Sequence, residues 1–154
     1  MPDEKDRAGV IAPPPLIFLA FLILGWLLAR KLLPPFEVPY GVVIGAVLVV
    51  AALAFAIWAR SIMVAARTNI NPFKPTTAIV STGPFRWTRN PLYLSMSVIY
   101  IGLALLLHAA AAILLLPVVL IIVTFGVIRR EEAYLERKFG TPYREYRGRV
   151  RRWL

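Results

Sequence analysis

Two polar segments beside long apolar runs carry the residue types that could do chemistry. The first is Gly83 to Tyr93, with the sequence GPFRWTRNPLY, and the second is Arg129-Arg130-Glu131-Glu132. A charged side chain at the centre of a membrane helix costs roughly 2.5 to 3.5 kcal/mol on insertion scales, so such clusters usually line a pocket or lie in the headgroup zone. We therefore expect the functional chemistry of this chain at these two segments.

The composition indicates an integral membrane protein. Hydrophobic residues make up 59% of the 154 residues, which is too many for one ordinary soluble core. The chain has no cysteine and one histidine, so thiol chemistry and a cysteine- or histidine-rich metal site are disfavoured, and we expect no metal. No small-residue cleavage site follows the first apolar run, which we therefore interpret as a retained span.

Three charge-free runs, the last of them long enough for two spans, predict an all-α fold with four membrane spans. The run from Leu92 to Ile128 is nearly twice as long as the ~20 residues that one span needs, which predicts a helical hairpin that turns near His108. Pro34-Pro35 should break the chain between the first two spans. The predicted single domain, 1–154, consists of spans at about 14–33, 38–59, 91–107 and 110–129, a loop at 60–90 and a tail at 130–154.

The distribution of positive charge predicts the topology. With both termini and the 60–90 loop in the cytoplasm, 16 of the 18 Lys and Arg residues lie inside, as the positive-inside rule requires. We interpret most of the tail arginines as serving topology and contact with anionic lipid headgroups rather than nucleic acid, which is an improbable partner for so apolar a chain. These arginines are Arg137, Arg144, Arg147, Arg149, Arg151 and Arg152.

The 60–90 loop should deliver polar side chains to the start of the third span. Asn90-Pro91 is a favourable helix start, with Asn as N-cap and Pro at the first helical position. Arg89 and Tyr93 lie four residues apart across that start, so we expect them to face one site. After the fourth span, Glu131 and Glu132 open a helical extension that should end at Gly140.

These segments together resemble the superfamily of isoprenylcysteine carboxyl methyltransferases and phospholipid methyltransferases. The resemblance rests on an ordered pattern over roughly Thr76 to Arg152: Gly-Pro-Phe-x-x-x-Arg-Asn-Pro-x-Tyr, an apolar hairpin, Glu-Glu-x-x-Leu, Phe-Gly, and Tyr-x-x-Tyr at Tyr143 and Tyr146. It implies an enzyme that uses S-adenosylmethionine at the cytoplasmic face, releases S-adenosylhomocysteine, and methylates a lipid or prenylated acceptor that enters between the spans.

The resemblance also implies which residues form the site. It places Arg89 and Glu132 close to the reaction as the candidate catalytic pair. The positions that it assigns to cofactor contact are Thr77, Ala78, Ile79, Val80, Phe85, Asn90, Pro91, Tyr93 and Glu131. The chain departs from the family pattern at three positions, with Asn90 where His is usual, Phe85 where Tyr is frequent, and Ser95 where Gly is usual. Asn90 can form hydrogen bonds but cannot titrate.

The chemistry of S-adenosylmethionine agrees with the residue types present. Its sulfonium calls for carboxylates or aromatic faces, its carboxylate for an arginine or backbone amides, and its adenine for an apolar slot. An isoprenylcysteine carboxylate is already ionised at neutral pH, whereas an ethanolamine headgroup must first lose a proton to a base. O-methylation is therefore favoured. Phospholipid N-methylation and a non-enzymatic membrane scaffold with a degenerate cofactor site are the alternatives.

Overall fold

A computed structural model describes residues 8–32 and 38–154 of the chain. The predicted end of the first span at residue 33 and the predicted break at Pro34-Pro35 lie outside the described residues, as do residues 1–7. Every regular element in the described ranges is helical. The α-helices are α1 (Pro14–Leu32), α2 (Gly41–Ala65), α3 (Pro91–Leu106), α4 (Leu116–Val123), α5 (Arg129–Phe139) and α6 (Thr141–Arg149). The other elements are two 3-10 helices, Gly83–Arg86 and Ala110–Leu115, and one π-helix, Thr124–Ile128.

The apolar helices confirm an all-α membrane protein. Within the described ranges, three helices are long and apolar enough to cross a bilayer: Pro14–Leu32, Gly41–Ala65 and Ala111–Phe139, the last a continuous run of 3-10, α, π and α segments. The helix Pro91–Leu106 is apolar but shorter. The four-span count therefore rests on three long helices and one short one.

The end of α2 differs from the end of the predicted span for a physical reason. Helix α2 continues past Ala59 to Ala65, because Arg60 ends the apolar run without interrupting the backbone hydrogen bonds. The Arg67 backbone then turns into the left-handed region, with φ 53°. At the hairpin the prediction is confirmed, since α3 ends at Leu106 and His108 adopts φ 51° in the turn.

The described residues form two compact units. The apolar unit contains 13–32, 38–54 and 93–123, and the polar unit contains 8–12, 55–92 and 124–154. Inside the apolar unit, the Tyr100 hydroxyl donates to the carbonyl oxygen of Ala112 at 2.7 Å, so this buried polar group is satisfied. A Cβ built on Gly25 would lie 2.5 Å from the Cβ of Ala112, so these backbones need a glycine to approach so closely.

We predict that Gly102→Ala destabilises the apolar unit. A Cβ at Gly102 would lie 2.8 Å from the carbonyl oxygen of Gly45 and 2.7 Å from a methyl of Val49, and the backbone atom cannot move aside. Overpacking of this kind typically costs about 1–3 kcal/mol. Unfolding in mixed detergent micelles should show the loss. Gly148→Ala is the control, because no described heavy atom lies within 4 Å of a Cβ built there; equal stability of the two variants would refute the prediction.

The polar unit holds the π-helix against the N-terminal residues. The Ile11 N–H donates to the Gly126 carbonyl oxygen at 3.2 Å, and Arg130 Nη1 donates to the Gly9 carbonyl oxygen at 2.9 Å. A Cβ at Gly126 would collide with the Ile11 side chain. This packing fixes the chain just before Glu131 and Glu132.

Beyond the π-helix, α5 ends as predicted at Gly140, where φ is +61° and the N–H donates to the Glu136 carbonyl oxygen at 3.0 Å. A positive φ of this kind is readily adopted only by glycine. The turn leads directly into α6, which brings its buried tyrosines, Tyr143 and Tyr146, back into the polar unit.

Candidate functional site

The polar unit is centred on a buried carboxylate shared by two arginines. Arg152 forms a bidentate pair with Glu132, with Nε 2.9 Å from Oε1 and Nη2 2.7 Å from Oε2. Arg89 Nη2 lies 3.2 Å from the same Oε1. The side chains of Glu132 and Arg89 are only 10% and 9% exposed, whereas that of Arg152 is 30% exposed. The cluster therefore carries two positive charges against one negative charge.

The Arg89 guanidinium is only partly satisfied by this pairing. Its Nε and Nη1 atoms are buried and have no hydrogen-bond partner among the described residues. A buried donor without a partner costs about 1–3 kcal/mol, and more when the group is charged. Each of these two nitrogens can donate a charge-assisted hydrogen bond to one oxygen of a carboxylate or phosphate. Arg89 therefore keeps two donor nitrogens that suit an anionic group.

The segment from Thr88 to Asn90 is held by the backbone of the terminal segment, 150–154. The Arg89 N–H donates to the Arg151 carbonyl oxygen at 2.9 Å. The Arg152 carbonyl oxygen accepts from Thr88 Oγ1 at 3.1 Å and from Asn90 Nδ2 at 2.9 Å. Helix α3 begins at Pro91 as predicted, while the Asn90 side-chain amide binds the terminal segment.

Two tyrosines of α6 complete the surroundings of Arg89. The Tyr146 hydroxyl donates to the Phe85 carbonyl oxygen at 2.9 Å and so ties α6 to the 3-10 helix before Arg89. The pKa of Tyr143 is raised to about 12, chiefly by burial and also by the Glu132 charge, while the charge of Arg89 and a hydrogen bond with it act in the opposite direction. Burial also raises the pKa of Tyr146. Both phenols are therefore neutral at physiological pH.

The raised pKa of Tyr143 predicts an alkaline loss of stability. The unfolded chain ionises this phenol near its ordinary pKa of 10, whereas the folded protein holds the proton until about 12. The unfolded state therefore binds fewer protons in this window, so stability falls as the pH rises from about 10 to about 12. Thermal unfolding across that range should show a steeper loss for the wild type than for Tyr143→Phe, and parallel curves would contradict the prediction.

The beginning of the predicted cofactor stretch, 77–80, is anchored to the first part of the loop and, through the residue before it, to α5. The Thr77 and Ala78 N–H groups lie 3.2 and 3.4 Å from Thr68 Oγ1. The preceding Thr76 N–H donates at 3.1 Å to the hydroxyl of Tyr134, which lies on α5. Residues 79 and 80, Ile79 and Val80, follow as half-buried apolar side chains. The loop is therefore positioned by α5, the helix that carries Glu132.

The structure brings together several of the residues that the sequence singled out. Arg89 and Glu132 form an ion pair, although they lie 43 positions apart by their residue numbers, 89 and 132. Asn90 lies in the same hydrogen-bonded segment as Arg89, and Pro91 is fully buried at the start of α3. Glu131 is half-buried and directly precedes Glu132. Tyr93 belongs to the apolar unit, so its placement beside Arg89 stays a prediction.

Sequence reasoning missed Arg152 and Thr88. Arg152 was grouped with the tail arginines as a topology and lipid-contact residue, but its side chain binds Glu132 instead. The spacing of Tyr143 and Tyr146 was the available signal, since it indicates a face of α6 that must be buried. Burial of that face anchors α6, and the residues after α6 are thereby brought back to the loop before α3. No group of three His, Cys, Asp or Glu residues that could hold a metal is present in residues 8–32 and 38–154.

The helices and this cluster place the protein among all-α integral membrane proteins with a buried polar site. Residues 40–142 match the profile of the phospholipid methyltransferase family, and these residues make up more than half of the chain. The chain belongs to this family, within the superfamily of integral membrane methyltransferases, and the predicted family resemblance is confirmed. Membership indicates a membrane methyltransferase.

One curated relative adds a similarity in sequence without a function. It is an uncharacterized protein of Haemophilus influenzae, 41% identical over 63 residues, which are 41% of this chain and all of that protein. No solved structure matches the chain significantly. The family match contains Arg89, Asn90, Glu131 and Glu132, but it ends before Tyr143 and the terminal segment.

Proposed function

We propose that this protein transfers a methyl group from S-adenosylmethionine to a lipid or lipid-modified acceptor at the cytoplasmic face of the membrane. The observation that carries the proposal is the buried guanidinium of Arg89, which is oriented by Glu132 and has two nitrogens without a partner among residues 8–32 and 38–154. Those nitrogens suit the carboxylate of the cofactor's amino acid moiety. The family assignment supplies the reaction class.

The chain's own groups suit such a cofactor. The bound cofactor would supply an electrophilic methyl group on a sulfonium sulfur. Arg89 would bind the carboxylate, and Glu131 and Tyr93 are the proposed neighbours of the positive end, with stretch 77–80 and Phe85 as contacts for the remainder. Methyl transfer is a direct displacement, so these residues chiefly need to align the reactants and exclude water.

The hydrogen bonds of Glu132 favour a methyl acceptor that does not have to be deprotonated by a base. Both of its oxygens accept hydrogen bonds from Arg152, and one also faces Arg89. These contacts occupy both oxygens, so neither is free to contact a protonated amine, whereas an ionised carboxylate acceptor requires no base. We therefore favour carboxyl O-methylation of a prenylated or similar lipid-borne acid, as in the isoprenylcysteine enzymes that the sequence resembles.

Phospholipid N-methylation is the second candidate, because the family that the chain matches is described by phospholipid methyltransferases. In that reaction an ethanolamine-type headgroup must be deprotonated, and Glu131 is the proposed base. We also propose, from the charge distribution, that both termini and the loop before α3 are cytoplasmic. In this topology α3 crosses the membrane as the third of four spans.

Calorimetric titration of the purified protein with S-adenosylhomocysteine tests the proposed cofactor. We expect micromolar binding that is lost in Glu131→Ala and kept in Arg137→Ala, an exposed arginine on the same helix. If several detergents and nanodiscs give neither heat nor a thermal shift, the enzymatic proposal fails and a non-enzymatic scaffold replaces it.

Radioactive methyl transfer then identifies the acceptor class. Vesicles with a farnesylated cysteine derivative and vesicles with phosphatidylethanolamine should be compared with tritiated S-adenosylmethionine. A methyl ester releases volatile methanol in base, whereas an N-methyl group resists it. Base-labile product from the prenylated acid supports O-methylation, and stable product from the phospholipid supports the second candidate.

A further inference from the structure

The terminal segment contributes the residue that holds Glu132, and it does so outside the part of the chain that matches the family. Arg152 binds both carboxylate oxygens of Glu132, at 2.9 and 2.7 Å, while Arg89 reaches only one of them, at 3.2 Å. The carbonyl oxygens of residues 151 and 152 accept hydrogen bonds from the Arg89 N–H and from the side chains of Thr88 and Asn90, and these bonds hold both arginines beside the carboxylate. Arg152 is therefore the main partner of the Glu132 carboxylate, and Arg89 is the second.

This unequal sharing determines what remains of Arg89. A carboxylate facing a single arginine normally forms a bidentate pair that uses two guanidinium nitrogens. Because Arg152 occupies both oxygens of Glu132, Arg89 contacts the carboxylate only through Nη2. Its Nε and Nη1 atoms have no partner in the part of the chain that the structure describes. The cluster also keeps one net positive charge, which an anionic ligand requires.

We propose that Arg152 is a positioning residue that keeps Glu132 from neutralising Arg89, so that Arg89 stays available to the carboxylate of the cofactor. The proposal rests on the proposed function, since it assumes that S-adenosylmethionine or its product binds at Arg89. In the absence of the Arg152 side chain, Glu132 turns to Arg89 and forms the bidentate pair with it. This pair engages a second guanidinium nitrogen, so that only one stays free, and it removes the net charge of the cluster.

The test is a set of titrations with S-adenosylhomocysteine. We expect Arg152→Ala to bind about tenfold more weakly than the wild type, the effect of losing one charge-assisted hydrogen bond to the ligand. Arg152→Lys should lie between the two, because lysine restores the charge but cannot bind both oxygens. Arg149→Ala removes an exposed arginine from α6 and should bind as the wild type does.

A double variant separates this role from a merely structural one. Glu132→Gln in the Arg152→Ala background restores the net charge of the cluster and removes the carboxylate that would capture Arg89. We expect the double variant to regain part of the affinity that Arg152→Ala lost. A structural role for the Arg152–Glu132 pair predicts no recovery, because the second substitution removes another native contact.

The outcomes distinguish the proposed role of Arg152 from the proposed function. Recovery in the double variant supports the proposal. Wild-type affinity in Arg152→Ala, or an affinity of the double variant that is no higher than that of Arg152→Ala, overturns it while leaving the proposed function intact. If the wild type itself binds no S-adenosylhomocysteine, the proposed function and this inference fall together. Thermal unfolding of every variant should accompany the titrations, so that a weaker affinity is compared only among folded proteins.

Discussion

Replacing Glu132 with alanine should lower the free energy of unfolding by about 3–5 kcal/mol, the usual result of removing one partner from a buried ion pair. The substitution leaves Arg89, whose side chain is 9% exposed, without a counterion, and Arg152 loses both of its charge-assisted hydrogen bonds. Two positive charges would then face each other in a poorly solvated region. The loss exceeds that of an ordinary surface salt bridge, which contributes at most about 1 kcal/mol.

Chemical unfolding in lipid nanodiscs or mixed micelles measures this effect. Glu145→Ala is the matched control, because Glu145 is an exposed glutamate of α6 in the same unit. Glu132→Gln should be milder than Glu132→Ala, since the amide oxygen can still accept one hydrogen bond. A change below about 1 kcal/mol for Glu132→Ala, similar to a surface pair, would mean that the two arginines find water or other partners, and the buried cluster would lose its structural importance.

The second large effect concerns Arg89→Lys, which should weaken binding of S-adenosylhomocysteine by about 100-fold while the protein remains folded. Lysine keeps the positive charge beside Glu132 but replaces the planar fork of donors by a single ammonium. Bonds to charged groups contribute about 1.5–3 kcal/mol each, so losing one or two accounts for this factor. The comparison isolates the geometry of the guanidinium from its charge.

Arg86→Lys provides the control, because Arg86 is exposed in the same loop. Calorimetric titration at constant salt should show that Arg86→Lys binds S-adenosylhomocysteine with the affinity of the wild type. If Arg89→Lys also binds like the wild type, Arg89 does not hold the cofactor's carboxylate, and the guanidinium nitrogens serve another ligand or solvent. Equal thermal stability of the wild type and Arg89→Lys would confirm that the loss is one of recognition.

The sequence was sufficient for the features that depend on local composition. Charge-free runs located the apolar helices, and the polar interruption at His108 located the hairpin turn. The predicted bounds of α2 differ from those in the structure. A charge marks where an apolar run stops, whereas a helix stops only where its backbone hydrogen bonds end. Arg60 is exposed on a helix that continues to Ala65.

The site was only partly predictable, because its central contacts join residues that are distant in sequence. The motif pattern singled out Arg89 and Glu132, and the structure pairs them. Nothing local distinguishes Arg152 from the five other tail arginines that were assigned to lipid contact. Its role depends on the direction in which α6 leaves Gly140 and on the burial of Tyr143 and Tyr146, which are tertiary facts.

The π-helix at Thr124–Ile128 makes the site sensitive to chain length rather than to residue type. Helical residues follow each other by about 100° around the axis, so removing one residue there would rotate all of α5 by that angle. Glu132 would then leave Arg89 and another side chain would take its place. Substitutions at exposed positions such as Phe125 should be tolerated, whereas a single-residue deletion or insertion between 124 and 128 should abolish the cluster. The number of residues in this turn therefore sets the rotational register of α5, and their composition matters less.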